Sequence, residues 1–143
     1  MSELAANTTA TIIPTLRYKD APAALEWLCK AFGFEKSLVV PDESGGIAHA
    51  QLLFGNGMVM LGSARDDAFG ALQAPLNAPD LPVSQSAYII VADVDVHHAR
   101  AKSAGAQIVL EPEDQDYGGR LYSCRDIEGN LWNFGSYNPW APA

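Results

Sequence analysis

Ile12-Ile13-Pro14-Thr15-Leu16-Arg17-Tyr18-Lys19-Asp20 opens the stretch whose reading decides the fold. The run is strand-like and ends at an aspartate able to cap a helix. From residue 21 to 32, Ala24, Trp27, Leu28, Ala31 and Phe32 recur at helical spacing, and Pro22 suits a first turn. Gly33 supplies the stop expected just past a helix. Three strand candidates follow, at 35–41, 47–54 and 58–63. Gly45-Gly46 separates the first two, and Gly55-Asn56-Gly57 makes a short hairpin turn between the others.

The same order of signals returns farther along. Residues 86–92 read as a strand, Asp93 or Asp95 as a cap, 96–104 as a helix, and Gly105 as its stop. Strands are then expected at 107–110, 119–125 and 131–137, with a hairpin turn over 126–130. Asp20 and Asp93 stand 73 residues apart, as do Gly62 and Gly135, whereas Gly33 and Gly105 are 72 apart. One residue is therefore lost and later regained between two copies of a βαβββ unit.

The expected organisation is a loose N-terminus over 1–10, a first unit over 11–63, a second over 86–137, and a tail over 138–143. Between the units, 64–85 holds Pro75, Pro79 and Pro82 with Asp66, Asp67 and Asp80, and reads as a linker or as a flap over a ligand. Nearly half the residues are apolar and fewer than a fifth charged, which excludes general disorder. No apolar run is long enough to span a bilayer, and Glu3 with no apolar segment after it argues against a secretory signal. A cytoplasmic protein is expected. Cys29 and Cys124 lack neighbouring ligands and read as buried thiols. Nine basic against seventeen acidic residues leave a charge of −8, which disfavours nucleic acid and anionic membranes and favours cationic or neutral ligands.

The phrase Val91-Ala92-Asp93-Val94-Asp95, leading into His98-Ala99-Arg100-Ala101-Lys102-Ser103-Ala104-Gly105-Ala106, resembles the glyoxalase/bleomycin-resistance/dioxygenase, or vicinal-oxygen-chelate, superfamily. Arg125-Asp126-Ile127-Glu128-Gly129-Asn130-Leu131-Trp132 is similar to its RDPDGN hairpin and final strand, and Ile47-Ala48-His49-Ala50-Gln51-Leu52 to the HAEL strand of its PhnB-like branch. The resemblance implies an α+β fold: two βαβββ repeats forming a curved mixed eight-stranded sheet, helices on the convex face and ligand on the concave one. It also implies a homodimer.

Strand alternation then assigns side chains to the ligand face. It places Ile13, Thr15 and Arg17 there from the first strand, and His49, Gln51 and Leu53 from the third. Met58, Met60 and Gly62 follow from the fourth, Ser86, Tyr88 and Ile90 from the fifth, and Leu131, Asn133 and Gly135 from the eighth. Adding 73 to His49 places Tyr122, and with it Cys124, on that face. The ligand-binding set so expected is Arg17, His49, Gln51, Met58, Met60, Ser86, Tyr88, Tyr122, Cys124, Leu131 and Asn133. Metal-dependent members of the superfamily carry ligands at positions that fall here on Ile13, Met60, Ser86 and Asn133. No imidazole or carboxylate stands at any of them, so neither a metal site nor another cofactor is expected.

His49, with Tyr122, is the candidate for proton transfer, since imidazole titrates near neutrality. His97 and His98 are expected on a solvated helix face, and Glu111, Glu113, Asp114 and Asp116 in a solvated loop. The leading expectation is a small-molecule binding protein without metal that sequesters an organic ligand, cationic or aromatic. The alternative is a metal-independent lyase, isomerase or hydrolase using His49 as acid and base. A structural module would instead have its cavity filled by side chains.

Overall fold

The computed structural model describes residues 3–142. The chain runs β1 (Thr15–Tyr18), α1 (Ala21–Phe32), β2 (Glu35–Pro41), β3 (Ile47–Phe54), β4 (Gly57–Ser63), β5 (Ala87–Ile90), α2 (Val94–Ser103), β6 (Gln107–Asp114), β7 (Arg120–Arg125) and β8 (Leu131–Gly135). The eight strands divide equally between two mixed sheets, ordered β1-β4-β3-β2 and β5-β8-β7-β6. In each sheet the strand before the helix pairs in parallel with the last strand of the unit, and the other pairs are antiparallel. This is the α+β architecture, written twice, that the sequence suggested. No helix among the described residues is long and apolar enough to cross a membrane.

Local chemistry sets the helix ends. The Asp20 carboxylate accepts the Ala23 N–H at 3.1 Å, and Gly33, left-handed at φ 89°, donates its N–H to Cys29 O. Of the two cap candidates for α2, Asp93 serves: its carboxylate accepts the Val96 N–H, so the helix begins at Val94, two residues earlier than expected. Strand β6 runs on through Pro112 to Asp114. Glu111, Glu113 and Asp114 therefore lie on a strand rather than in a loop, and proline is tolerated because β6 is an edge strand.

Two compact units result. The first holds the described residues up to Cys29 together with Gly33–Pro75, and the second holds Lys30–Phe32 with the chain from Leu76 onward. The interval 64–85 is thus shared. Gln73 bonds to Thr15 within the first unit, whereas within the second Leu81 O accepts from Arg125 and Pro79 backs onto Gly129.

One face of each sheet is packed. In the first unit Tyr18, Leu28, Ala50, Leu52 and Leu61 are fully buried and Val59 nearly so, with Leu52 opposite Val59 and Ala50 opposite Leu61. In the second, Trp132 and Phe134 close over Phe32, whose ring centroid lies 5.4 and 4.7 Å from theirs. Burying such side chains contributes roughly 1.5–3 kcal/mol apiece. The other face of each sheet keeps partly exposed side chains, and the candidate site residues belong there.

Candidate functional site

On the open face of the first sheet, Thr15 stands beside Met60, Arg17 beside Gly62, and Gln51 across from Met60. Continuing that register places His49 at the level of Gly62. His49 and Gln51 are half-buried, and His49 Nε2 donates to Gln51 Oε1 at 2.9 Å, which fixes the ring. Met58 and Met60 are also half-buried. Arg17 is only 9% exposed. Its guanidinium lies over Gly62, where a Cβ would come within 2.6 Å of Nη1, and donates to Ser63 O at 3.2 Å.

Residues 64–75 cover this arginine. The Phe69 ring lies 5.5 Å from the Arg17 guanidinium carbon and 5.7 Å from that of Arg65. Gln73 Nε2 donates to Thr15 O at 2.8 Å, and Arg65 Nε donates to Asp67 at 2.9 Å. Burial, then the like charge of Arg65, pushes the Arg17 pKa down, while Asp67 acts in the opposite direction. Beside it, a shallow recess of about 240 Å³ is lined by Asp42, Ile47, Ala48, Ser63, Ala64 and Arg65.

The open face of the second sheet carries a different polar device. Asn133 stands beside Tyr88 and opposite Ser123. Its amide donates to Ser86 Oγ at 2.8 Å and to Ala87 O at 3.0 Å, and its Oδ1 accepts from Ser123 Oγ at 2.7 Å. Tyr88 reaches over Gly135 to donate to Tyr137 O at 2.7 Å, and partial burial raises its pKa. Leu131 pairs with Arg125, whose guanidinium donates to Gly129 O.

Tyr122 and Cys124 do not lie on that face. Tyr122 pairs with Phe134 and Cys124 with Trp132, so both point under the helices, fully buried. Ser123 against Asn133 matches Gln51 against Met60, which makes the offset between β3 and β7 72 rather than 73. A one-residue slip sends every side chain of a strand to the other face. Leu121, Ser123 and Arg125 are the residues facing out from β7. The 72-residue spacing of Gly33 and Gly105 was the signal that could have found them. Burial raises the Cys124 thiol to about 12 and lifts the Tyr122 phenol far above its ordinary value.

The helical histidines were also misplaced. His97 is half-buried and held at both nitrogens: Nε2 donates to Phe32 O at 2.8 Å, so Nδ1 is the acceptor for the Tyr122 hydroxyl at 2.6 Å. Burial lowers its pKa, which favours the neutral ring. His98 packs edge-on against Tyr122, with Nε2 buried and 3.5 Å from Glu111 Oε2, beyond a well-formed hydrogen bond. Tyr122 therefore serves His97, and a His49–Tyr122 proton-transfer pair is not assembled.

Residues 9–134 match the model of the Glyoxalase/Bleomycin resistance protein/Dioxygenase superfamily. An uncharacterized protein of Mycobacterium bovis is 32% identical over 136 residues, covering 92% of this chain and 86% of that one. The crystal structure of TioX from Micromonospora sp. ML1 superposes with a TM-score of 0.71 at 32% identity, over 90% of this chain and 99% of the other. Lactoylglutathione lyase from Agrobacterium tumefaciens shares the fold, with a TM-score of 0.66 at 20% identity over 94% and 98% of the two chains. With its twice-written βαβββ unit and this match along most of its length, the chain belongs to the Glyoxalase/Bleomycin resistance protein/Dioxygenase superfamily.

Proposed function

We propose that the protein is a small-molecule binding member of its superfamily that sequesters an organic ligand against its open sheet faces, as a homodimer and without a metal ion. The observation that carries this reading is the state of Asn133. A metal-dependent site would draw a ligand atom from this position, yet the only acceptor of its side chain is taken by Ser123 and both its donors point at Ser86 and Ala87. Ser86 and Asn133 are neutral donors already satisfied by one another, and in the first unit Ile13 and Met60 offer no oxygen or imidazole at all. Such a set does not fit a divalent cation, which needs imidazole, carboxylate or thiolate.

On the first sheet Met58 and Met60 beside Gln51, and on the second Leu131 and the half-exposed Tyr88 beside Asn133, each give a face suited to an aromatic organic molecule. Thermal-shift and calorimetric screening tests the reading. Stabilisation by aromatic compounds, unchanged by EDTA, is the expected result; stoichiometric uptake of Ni²⁺, Zn²⁺ or Mn²⁺ would overturn it. Light scattering of the same sample tests the dimer.

A second reading rests on His49. It is held by Gln51 on the open face, where its imidazole would serve as acid and base in a metal-independent lyase, isomerase or hydrolase. Once an activity is found, its survival in His49→Ala would remove this reading.

A further inference from the structure

The first unit contains a cation that its own fold leaves incompletely served. Arg17 is nine-tenths buried, and its Nε–H has no hydrogen-bond partner. Its contacts are one backbone carbonyl and the face of Phe69. No carboxylate reaches it among the described residues: Asp67, the acid nearest in effect, is spent on Arg65 and on the Gly70 N–H at 3.0 Å. A guanidinium withdrawn from water without an anionic partner is a liability to stability, and most buried charges are paired.

We infer that Arg17 is the anchor of a ligand subsite that takes an aromatic ring bearing an anionic oxygen group, a carboxylate or a phosphate. This rests on the small-molecule reading above and sharpens it. Two features set the chemistry. Guanidinium ions offer N–H groups in their plane to anionic oxygens and stack their faces on aromatic rings. At Arg17 the in-plane Nε–H is vacant, and the face is covered by a ring on a surface segment, Phe69, itself 40% exposed. Phe69 therefore occupies the place of a ligand ring and keeps Nε out of water until one displaces it. The sign of the charge follows from the neighbours. Arg65 adds a second guanidinium over Phe69, and the acids nearby are spent elsewhere, Asp67 on Arg65 and Asp42 on the Ser44 and Gly46 N–H groups, so the spot favours an anion although the chain as a whole carries −8. Distant acids are screened over about 10 Å at 0.1 M salt. A cationic ligand is repelled from this spot.

NMR of the arginine Nε–H groups in the ¹⁵N-labelled full chain reads the atom directly. Benzoate and phenyl phosphate serve as probes, with benzamide and benzylammonium as their neutral and cationic counterparts. Saturable movement of the Arg17 Nε–H resonance is expected with the anions, at an affinity at least tenfold above that of benzamide, and none with benzylammonium. The ratio between benzoate and phenyl phosphate tells which anionic group the subsite is built for. Arg17→Gln abolishes the preference over benzamide, and Phe69→Ala, by removing the competing ring, tightens benzoate binding. Equal affinities for benzoate and benzamide would overturn the inference, as would an unmoved Nε–H at saturation. So would failure of both anions to bind the wild-type chain and Phe69→Ala. Saturable binding of benzamide without preference for benzoate removes the anchor but leaves the small-molecule reading standing; binding by none of the four removes both. If Arg17→Gln does not fold, the benzoate and benzamide comparison on the wild-type chain decides.

Discussion

Replacing Tyr122 by phenylalanine deletes one oxygen atom from the interior of the second unit and nothing else. The ring stays stacked on Phe134, at 5.4 Å and 21°, so packing is preserved. What is lost is the 2.6 Å bond from the hydroxyl to His97 Nδ1. The ring of His97 cannot turn to compensate, because Nε2 is committed to Phe32 O. Nδ1 then becomes an acceptor without its partner at a half-buried position, which costs about 1–3 kcal/mol. An unfolding entropy of about 2 cal/mol/K per residue, taken over 143 residues, converts each kcal/mol into roughly 3 °C. Tyr122→Phe should therefore melt ~3–10 °C below the parent in a circular-dichroism or calorimetric scan. The long-range ¹H–¹⁵N spectrum should still report the Nε2–H tautomer of His97. A melting temperature within about 1 °C of the parent would refute the assigned Tyr122–His97 bond, and a spectrum showing Nδ1–H would refute the tautomer.

Further outcomes follow from other sites. His97 has a folded-state pKa below its unfolded value near 6.5, so the unfolded chain binds the proton more readily. Its contribution is present above about 6.5 and is lost as pH falls from there toward the folded value; urea midpoints that rise on acidification from pH 7 to 5 would contradict this. Cys124, raised to about 12 by burial, should resist iodoacetamide at pH 8 in the native state, with only about 10⁻⁴ of it as thiolate. Half-buried Cys29 should react first, and peptide mass spectrometry tells them apart. Gly129 sits at φ 96° with the Pro79 backbone 2.6 Å from where a Cβ would be. Gly129→Ala should thus destabilise by about 2–4 kcal/mol, from strain plus overpacking, and unchanged urea unfolding would show that the 126–130 turn adapts.

The parts of the fold legible in the sequence were those fixed by near neighbours. Asp20, Pro22 and Gly33 define α1 because caps and stops act within a turn of the chain. The hairpin glycines and the alternation along β1, β3, β4 and β8 set the open face of those strands, including Arg17, His49, Gln51, Met58, Met60 and Asn133. What failed depended on distant partners. The face of β7 turned on where the lost residue was regained, which no local signal marks. His97 looked like a solvated residue on a polar helix because its partners, Tyr122 and Phe32, lie 25 and 65 residues away. The vacancy at Arg17 Nε was likewise invisible, since only the folded segment over it, led by Phe69, shows that water is excluded.

Gly62 and Gly135 each leave the floor of a sheet bare, and a polar arm has grown across each: Arg17 over the first, Tyr88 over the second. The two arms differ in reach and charge, and one springs from the residue beside its glycine, the other from two positions earlier. A side chain on either floor would evict the arm above it, since the built Cβ lies 2.6 Å from Nη1 in one case and from the phenol oxygen in the other. Recognition is thereby detached from architecture. What each face prefers is written in one swinging side chain, and an engineer can rewrite it by exchanging that arm while the backbone beneath stays as it is.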